Sequence, residues 1–130
     1  MANPKKPKDY FSFPAVVLSW HDGDTLRCDI DLWFHHRWAR DLRLAGLDAA
    51  EINSKDAVKR AKAAAALARA AELCPPGTKV SVVTDKPDAT DKYKRWLGTV
   101  WFDRGGVRTC LNDVLIAEGH GTPYGGGRRG

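Results

Sequence analysis

The chain has 130 residues, of which 43% are hydrophobic and 28% charged, and its formal net charge is +5. This length accommodates one domain with its own core, and the composition is neither that of a disordered chain nor that of a membrane-spanning one. The excess of lysine and arginine favours an anionic partner such as nucleic acid. Three widely separated cysteines suggest neither a disulfide framework nor a zinc cluster, and we interpret them as small buried hydrophobes: Cys28, Cys74 and Cys110.

The two ends of the chain differ in composition from its middle. Residues 1–12 are rich in lysine and proline and predict a flexible basic arm, and residues 125–130 form a glycine and arginine tail. The predicted folded domain is therefore 13–124. Because the first residues lack the apolar stretch of a secretion signal and no apolar run approaches membrane-spanning length, we expect a cytoplasmic protein without a transmembrane segment.

The first half of the domain predicts three strands. Residues 15–20 form an apolar strand that ends at a turn built on 22–24. Residues 26–32 alternate apolar and charged side chains, which is the period of a strand with one buried face. A third strand covers about 39–47, with Arg43 on the face opposite its leucines.

One helix separates these strands from the next pair. Ser54 is a plausible N-cap, Asp56 suits the positive end of a helix, and an alanine-rich run follows to residue 73. The Cys-Pro-Pro-Gly sequence at 74–77 then predicts that the helix stops.

The second half predicts two more strands and a short helix. The strands are 80–83 and 96–102, separated by a polar loop at 85–92, and the helix covers 111–119. The order β-β-β-α-β-β-α predicts an α+β fold, a five-stranded β-barrel with helices of the OB-fold type, which is a frequent scaffold for binding oligonucleotides. A fold does not establish a function, so function has to be argued from the site.

Acidic residues at strand ends indicate a metal site. Asp24 and Asp48 are the predicted metal-binding pair, because two carboxylates leave room for waters and a phosphate oxygen around a hard cation. We expect Asp22 to hold waters or backbone around the site without binding the ion. In the alternative reading, the aspartates of this turn only accept hydrogen bonds from its backbone.

Three further side chains have the chemistry of phosphodiester cleavage. Glu51, three residues beyond Asp48, is placed to deprotonate a water. Arg43 and Arg95 carry planar guanidinium groups that match the oxygens of a phosphate. Each of the three is also an ordinary surface residue when considered alone, so it is their combination that indicates a nuclease.

Other residues are weaker candidates. Lys92 and Tyr93 are expected to contact the nucleic acid, and Tyr124 to stack on a base. The aromatic and basic stretch 33–38 favours a hairpin that covers the barrel, with nucleic-acid contact as the alternative. The four histidines have no metal-ligand spacing and are treated as non-metal residues: His21, His35, His36 and His120.

The chain resembles the staphylococcal nuclease (thermonuclease) family. Four ordered motifs carry the resemblance, namely DGDT at 22–25, RLAGLDAAE at 43–51, DKYKR at 91–95 and the segment 111–119. Together they extend over nearly the whole folded region. Two positions depart from the usual family pattern: Ala50 replaces a proline before the catalytic glutamate, and Lys94 replaces a glycine before the arginine.

The resemblance implies an OB-fold nuclease that cleaves DNA and RNA with calcium. The implied ligands are Asp24, Asp48 and the backbone carbonyl of Ala49. Glu51 is the implied water-activating base, and two arginines contact the scissile phosphate. The remaining matches are a supporting acid, two nucleotide-contacting loop residues and an aromatic contact near the C-terminus: Asp22, Lys92, Tyr93 and Tyr124.

The sequence leaves several functional questions open. The expected partners are DNA and RNA, single-stranded or locally open, with no membrane, and we expect a monomer. Magnesium remains open beside calcium, because both ions prefer oxygen ligands. The main alternative is a catalytically weakened OB-fold module that binds nucleic acid, and a third is a protein-interaction domain that uses the aromatic stretch.

Overall fold

The computed structural model describes residues 11–48, 55–84 and 95–123. Within these ranges the elements, in chain order, are β1 (Ser12–Asp22), β2 (Thr25–Asp31), β3 (Arg37–Leu44), β4 (Leu47–Asp48), α1 (Ala57–Leu73), β5 (Lys79–Val83), β6 (Trp96–Arg104), β7 (Val107–Cys110), α2 (Leu111–Ala117) and β8 (Thr122–Pro123). No helix in these ranges has the length and apolar character needed to cross a bilayer.

Five strands close into a barrel. The main sheet has the order β3-β2-β1-β5-β6-β7, and β3 also pairs in parallel with β6, which closes the first five strands of this order into the barrel. With its two helices, this closed five-stranded barrel is an α+β fold of the OB type, as the sequence predicts. The predicted order of the barrel strands and helices is confirmed.

Three short strands were not predicted. β7 extends the hairpin that begins with β6, and β4 pairs with β8 as a separate two-stranded sheet. The prediction that the third strand runs to residue 47 is wrong, because β3 ends at Leu44 and the chain turns at Gly46, where φ is +74°. Leu47 then begins β4, whose two residues are too few to show a periodic pattern.

The core lies inside the barrel. Alternate residues of the strands supply fully buried side chains such as Val17, Leu26 and Val100. α1 closes over the barrel with a face of small residues spaced three and four apart, which permits close packing: Ala63, Ala66 and Ala70. The three cysteines are buried and not in disulfides, as predicted.

The ends of α1 differ partly from the prediction. The helix begins at Ala57, and the carboxylate of Asp56 accepts a hydrogen bond from the backbone N–H of Val58 at 2.9 Å. Asp56 is therefore the N-cap, which corrects the assignment to Ser54, a residue outside the described ranges. A side-chain oxygen at this position satisfies one of the N–H groups that have no partner within the helix. The predicted stop after residue 73 is confirmed.

Stretch 33–38 lies in the hairpin of β2 and β3, and its Trp38 packs against Trp96 with ring centroids 5.6 Å apart, but the tip of the hairpin does not cover the barrel. Trp33 is 52% exposed and Phe34 is 88% exposed. Together with His35, both have positive φ values, so the chain makes a tight left-handed turn that directs these rings into solvent. A backbone hydrogen bond from Leu32 to His36 closes the loop at 2.8 Å.

Candidate functional site

The turn between β1 and β2 places Asp24 beside the end of β3. The backbone carbonyl of Asp24 accepts a hydrogen bond from the N–H of Leu44 at 2.8 Å, so the turn is fixed to β3 through main-chain atoms. Asp24 itself is only 7% exposed. Asp22 lies at the end of β1, and one of its carboxylate oxygens is 3.6 Å from the Nε2 atom of His21.

Arg43 connects this turn to the start of β4. It is the cross-strand partner of Thr25, so the two side chains project from the same face of the sheet, opposite to the buried Leu42 and Leu44. Its Nη2 atom lies 3.6 Å from Oδ2 of Asp24 and donates to the carbonyl oxygen of Leu47 at 3.4 Å. A single guanidinium nitrogen therefore spans the acidic turn and the residue before Asp48.

Arg95, the residue before β6, reaches the same place. In the parallel pairing of β3 with β6, Arg43 lies opposite Leu97, and Arg95 is two residues earlier on the same face. Its Nη1 atom donates to the hydroxyl of Thr25 at 3.0 Å. That hydroxyl in turn donates to Oδ1 of Asp24 at 3.1 Å.

The four side chains thus form one connected group. One carboxylate oxygen of Asp24 faces Arg43, and the other accepts from Thr25, which holds Arg95. Arg43 lies beside this carboxylate and Arg95 is linked to it through Thr25, and guanidinium groups suit the binding of a phosphate. Of the predicted site residues, the structure thus brings Asp24 and Arg43 into contact and links Arg95 to them through Thr25.

The described ranges contain only part of the predicted site. The backbone of Asp48 lies in β4, opposite Thr122 of β8. The remaining predicted residues lie outside the described ranges: Ala49, Glu51, Lys92, Tyr93 and Tyr124. Within 11–48, 55–84 and 95–123, no three side chains of histidine, cysteine, aspartate or glutamate form a cluster that could hold a metal ion.

Sequence reasoning assigned no role to Thr25. The residue is part of the quoted DGDT motif, and it is 3% exposed although it is polar. The available signal was its position, since a hydroxyl at the first residue of a strand beside a turn aspartate is placed to hydrogen-bond that aspartate.

Asn112 supports the strand pairing that positions the site. Its side-chain oxygen accepts from the N–H of Val100 at 3.1 Å, and its amide donates to the carbonyls of Ala45 at 2.8 Å and Gly98 at 3.4 Å. Asn112 is 2% exposed, and these bonds satisfy a buried amide. They attach α2 to the point where β3 meets β6.

Comparison with known protein families shows the family of the chain. The model of the staphylococcal nuclease homologue family matches residues 41–125, which is more than half of the chain. The chain belongs to this family. No curated protein matches the sequence. The family resemblance predicted from the motifs is confirmed.

The matched segment contains most of the predicted site of this staphylococcal nuclease homologue. It includes Arg43, Asp48, Glu51 and Arg95. It begins after β2, so Asp24 lies outside the match and is brought to the site by the pairing of β2 with β3. Membership in the family indicates either a nuclease or a module that binds nucleic acid.

Proposed function

We propose that this chain is a calcium-dependent nuclease that hydrolyses phosphodiester bonds of DNA and RNA by metal-assisted attack of water. The observation that carries the proposal is the buried carboxylate of Asp24, with Arg43 at one oxygen and the Thr25–Arg95 pair at the other. A carboxylate that can bind a cation and two guanidinium groups that can bind a phosphate support the proposal, together with the match to the staphylococcal nuclease homologue family.

The donor atoms at this place fit a hard divalent cation. The carboxylate of Asp24 is an oxygen donor, and the cysteines, which would favour a softer metal, lie in the core. We propose that Asp24, Asp48 and the carbonyl of Ala49 hold the ion. A bound calcium ion would supply Lewis-acid polarisation of the phosphate. Magnesium uses the same donors with stricter geometry.

The other site residues bind the phosphate, accept the proton and contact the nucleotides. Arg43 and Arg95 donate hydrogen bonds to the non-bridging phosphate oxygens and stabilise the negative charge that grows in the transition state. Glu51 accepts a proton from the attacking water. The same hydrogen bond orients the water oxygen towards phosphorus. Asp22 supports the site by holding waters or backbone groups. Lys92, Tyr93 and Tyr124 contact the nucleotides on either side of the scissile bond.

A second candidate is a nucleic-acid-binding module with weakened catalysis. The observation that favours it is Lys94, which stands beside Arg95 where the family usually has glycine. If that backbone needs a positive φ, a lysine would disturb the approach of the arginine. The leading proposal is favoured over this one because the carboxylates and arginines expected of an active enzyme are all present in the sequence.

The variant Glu51→Gln tests the proposed chemistry. With calcium, we expect the wild-type chain to degrade DNA and RNA, and the variant to lose about 10²- to 10⁴-fold in turnover, because the amide cannot accept the proton. Both proteins should bind a single-stranded oligonucleotide with similar affinity in chelator. The matched control is Glu72→Gln on the exposed side of α1, which should cleave at the wild-type rate.

Two outcomes would count against the proposal. Cleavage by Glu51→Gln at the wild-type rate would remove the glutamate from the mechanism. Binding without any degradation by the wild-type chain, in calcium and in magnesium, would favour the binding module.

A further inference from the structure

We propose that Thr25 is a positioning residue of the site, and that its hydroxyl holds Arg95 in register with the carboxylate of Asp24. This inference rests on the proposed function, because it gives the linked pair a role in phosphate binding and cleavage. It assigns a task to a side chain that is neither a charged group nor a metal ligand.

The direction of the two hydrogen bonds is fixed by chemistry. A guanidinium group only donates, so the oxygen of Thr25 must accept from Nη1 of Arg95, at 3.0 Å. The single hydroxyl proton is therefore available to Oδ1 of Asp24, at 3.1 Å. Because donor and acceptor are both used, the hydroxyl orients the arginine and the carboxylate relative to each other.

The hydroxyl is held rigidly. Thr25 is the first residue of β2, it is 3% exposed, and its backbone is paired with Asp22 of β1 and with Arg43 of β3. A β-branched side chain has few accessible rotamers on a strand. The oxygen therefore has a fixed position, and the long side chain of Arg95 gains an anchor far from its own backbone.

The hydrogen bond to Thr25 affects the reaction because it sets the position of the Arg95 guanidinium. Arg95 is the residue just before β6, and β3 lies between β6 and β2. Its guanidinium therefore has to cross β3 to reach Thr25 on β2. A guanidinium has five N–H donors, and the bond to Thr25 uses one nitrogen of the fork. Fixing that nitrogen restricts the directions in which the group can meet a phosphate, and a small misplacement of such a group is costly to rate.

The variants Thr25→Val and Thr25→Ser separate this role from packing. Valine keeps the shape and removes the hydroxyl, whereas serine keeps the hydroxyl. With calcium, we expect Thr25→Val to lower kcat by about 10- to 100-fold, in line with the cost of misplacing a catalytic group. We expect Thr25→Ser to restore most of the wild-type kcat. A Thr25→Ser variant as impaired as Thr25→Val would overturn the role of the hydroxyl, and so would a wild-type kcat in Thr25→Val.

A double-mutant cycle with Arg95→Ala tests the linkage itself. If Thr25 acts through the arginine, Thr25→Val should have a much smaller effect on kcat in the Arg95→Ala background than in the wild-type background. An equal effect in both backgrounds would show that the threonine does not act through Arg95. Urea unfolding of each variant establishes that the compared proteins are folded.

A binding measurement keeps this inference separate from the proposed function. In chelator, the affinity for a single-stranded DNA oligonucleotide should fall in Thr25→Val as it falls in Arg95→Ala, and should be retained in Thr25→Ser. The readout needs neither metal nor cleavage, so it decides the role of Thr25 even if the wild-type chain proves inactive. Unchanged affinity in Thr25→Val, with reduced affinity in Arg95→Ala, would contradict the inference.

Discussion

Asp24 illustrates what residue-level reasoning can and cannot reach. Its acidic turn motif predicts a carboxylate at a strand end, and in the structure this carboxylate lies beside Arg43 and is linked to Arg95 through Thr25. The motif places the hydroxyl of Thr25 next to Asp24, but its bond to Arg95 could not be predicted, because hydrogen-bond partners 70 residues apart leave no local pattern. Asn112 is a similar case, since its partners lie on β6 and in the turn that follows β3.

The buried thiols also belong to the residue scale. Burial raises the pKa of Cys28 to about 12, with a smaller contribution from the neighbouring Cys74. Burial likewise raises the pKa of Cys74 to about 12. In the unfolded chain these thiols ionise near pH 8.5, as in model peptides. The folded state therefore favours the protonated thiol. The contribution of these thiols to the free energy of unfolding is fully present below about pH 8.5 and declines as the pH rises towards 12.

We therefore predict that alkaline pH destabilises the protein through Cys28. The free energy of unfolding, measured by urea denaturation, should fall between about pH 8 and about pH 10.5, because only the unfolded chain releases the thiol protons in this range. The variant Cys28→Val, which keeps a small hydrophobe at this position, should lose less stability over the same interval. The same decline in both proteins would mean that this thiol does not contribute.

At the scale of elements, the barrel depends on the meeting of β3 and β6. Their parallel pairing runs from Leu42 opposite Trp96 to Leu44 opposite Gly98. The N–H of Ala45 donates to the carbonyl of Gly98 at 2.8 Å, and the amide of Asn112 approaches the same carbonyl. Because β3 carries Arg43 and β6 follows Arg95, this pairing brings the two arginines together.

Gly98 offers a direct test of that closure. A Cβ atom at this position would lie 3.0 Å from the carbonyl oxygen of Val83, 3.2 Å from Cγ1 of Val82 and 3.4 Å from Cδ1 of Leu42. We predict that Gly98→Ala lowers the free energy of unfolding by about 1–3 kcal/mol, the usual cost of overpacking. Urea denaturation at neutral pH measures this loss, and an unchanged midpoint with an unchanged slope would contradict the predicted crowding.

The helices show which element boundaries a sequence can specify. The end of α1 was predictable, because two prolines and a glycine follow Leu73 and cannot continue a helix. Its start was less certain, since both Ser54 and Asp56 are good N-cap residues and only the structure shows that Asp56 accepts from Val58. Propensity limits such a boundary to a few residues and does not choose among them.

At the scale of the whole molecule, the barrel was predictable because its strands alternate buried and exposed residues. β2 has this alternation, and its buried Leu26, Cys28 and Ile30 are the apolar positions of the pattern. The pairing of β4 with β8 was not predictable, because each has two residues and they meet from distant parts of the chain. Long-range closure is decided by tertiary packing, which local periodicity does not encode.

The basic charge of the chain also acts at this scale. A net charge of +5 attracts nucleic acid without regard to sequence, and part of that attraction is lost as salt displaces the counterions. In the proposed function, Asp24, Arg43 and Arg95 then provide the local chemistry. Binding alone is therefore expected of both candidate functions, and only cleavage distinguishes them.

The measurement that tests the central claim most directly is the rate of single-stranded DNA cleavage by the wild-type chain as calcium is raised from chelator into the millimolar range. If acidic residues at this end of the barrel hold a divalent ion beside two arginines, cleavage should be absent in chelator and should rise to saturation with calcium. Cleavage that persists undiminished in chelator, or no cleavage at any concentration of calcium or magnesium, would contradict the account.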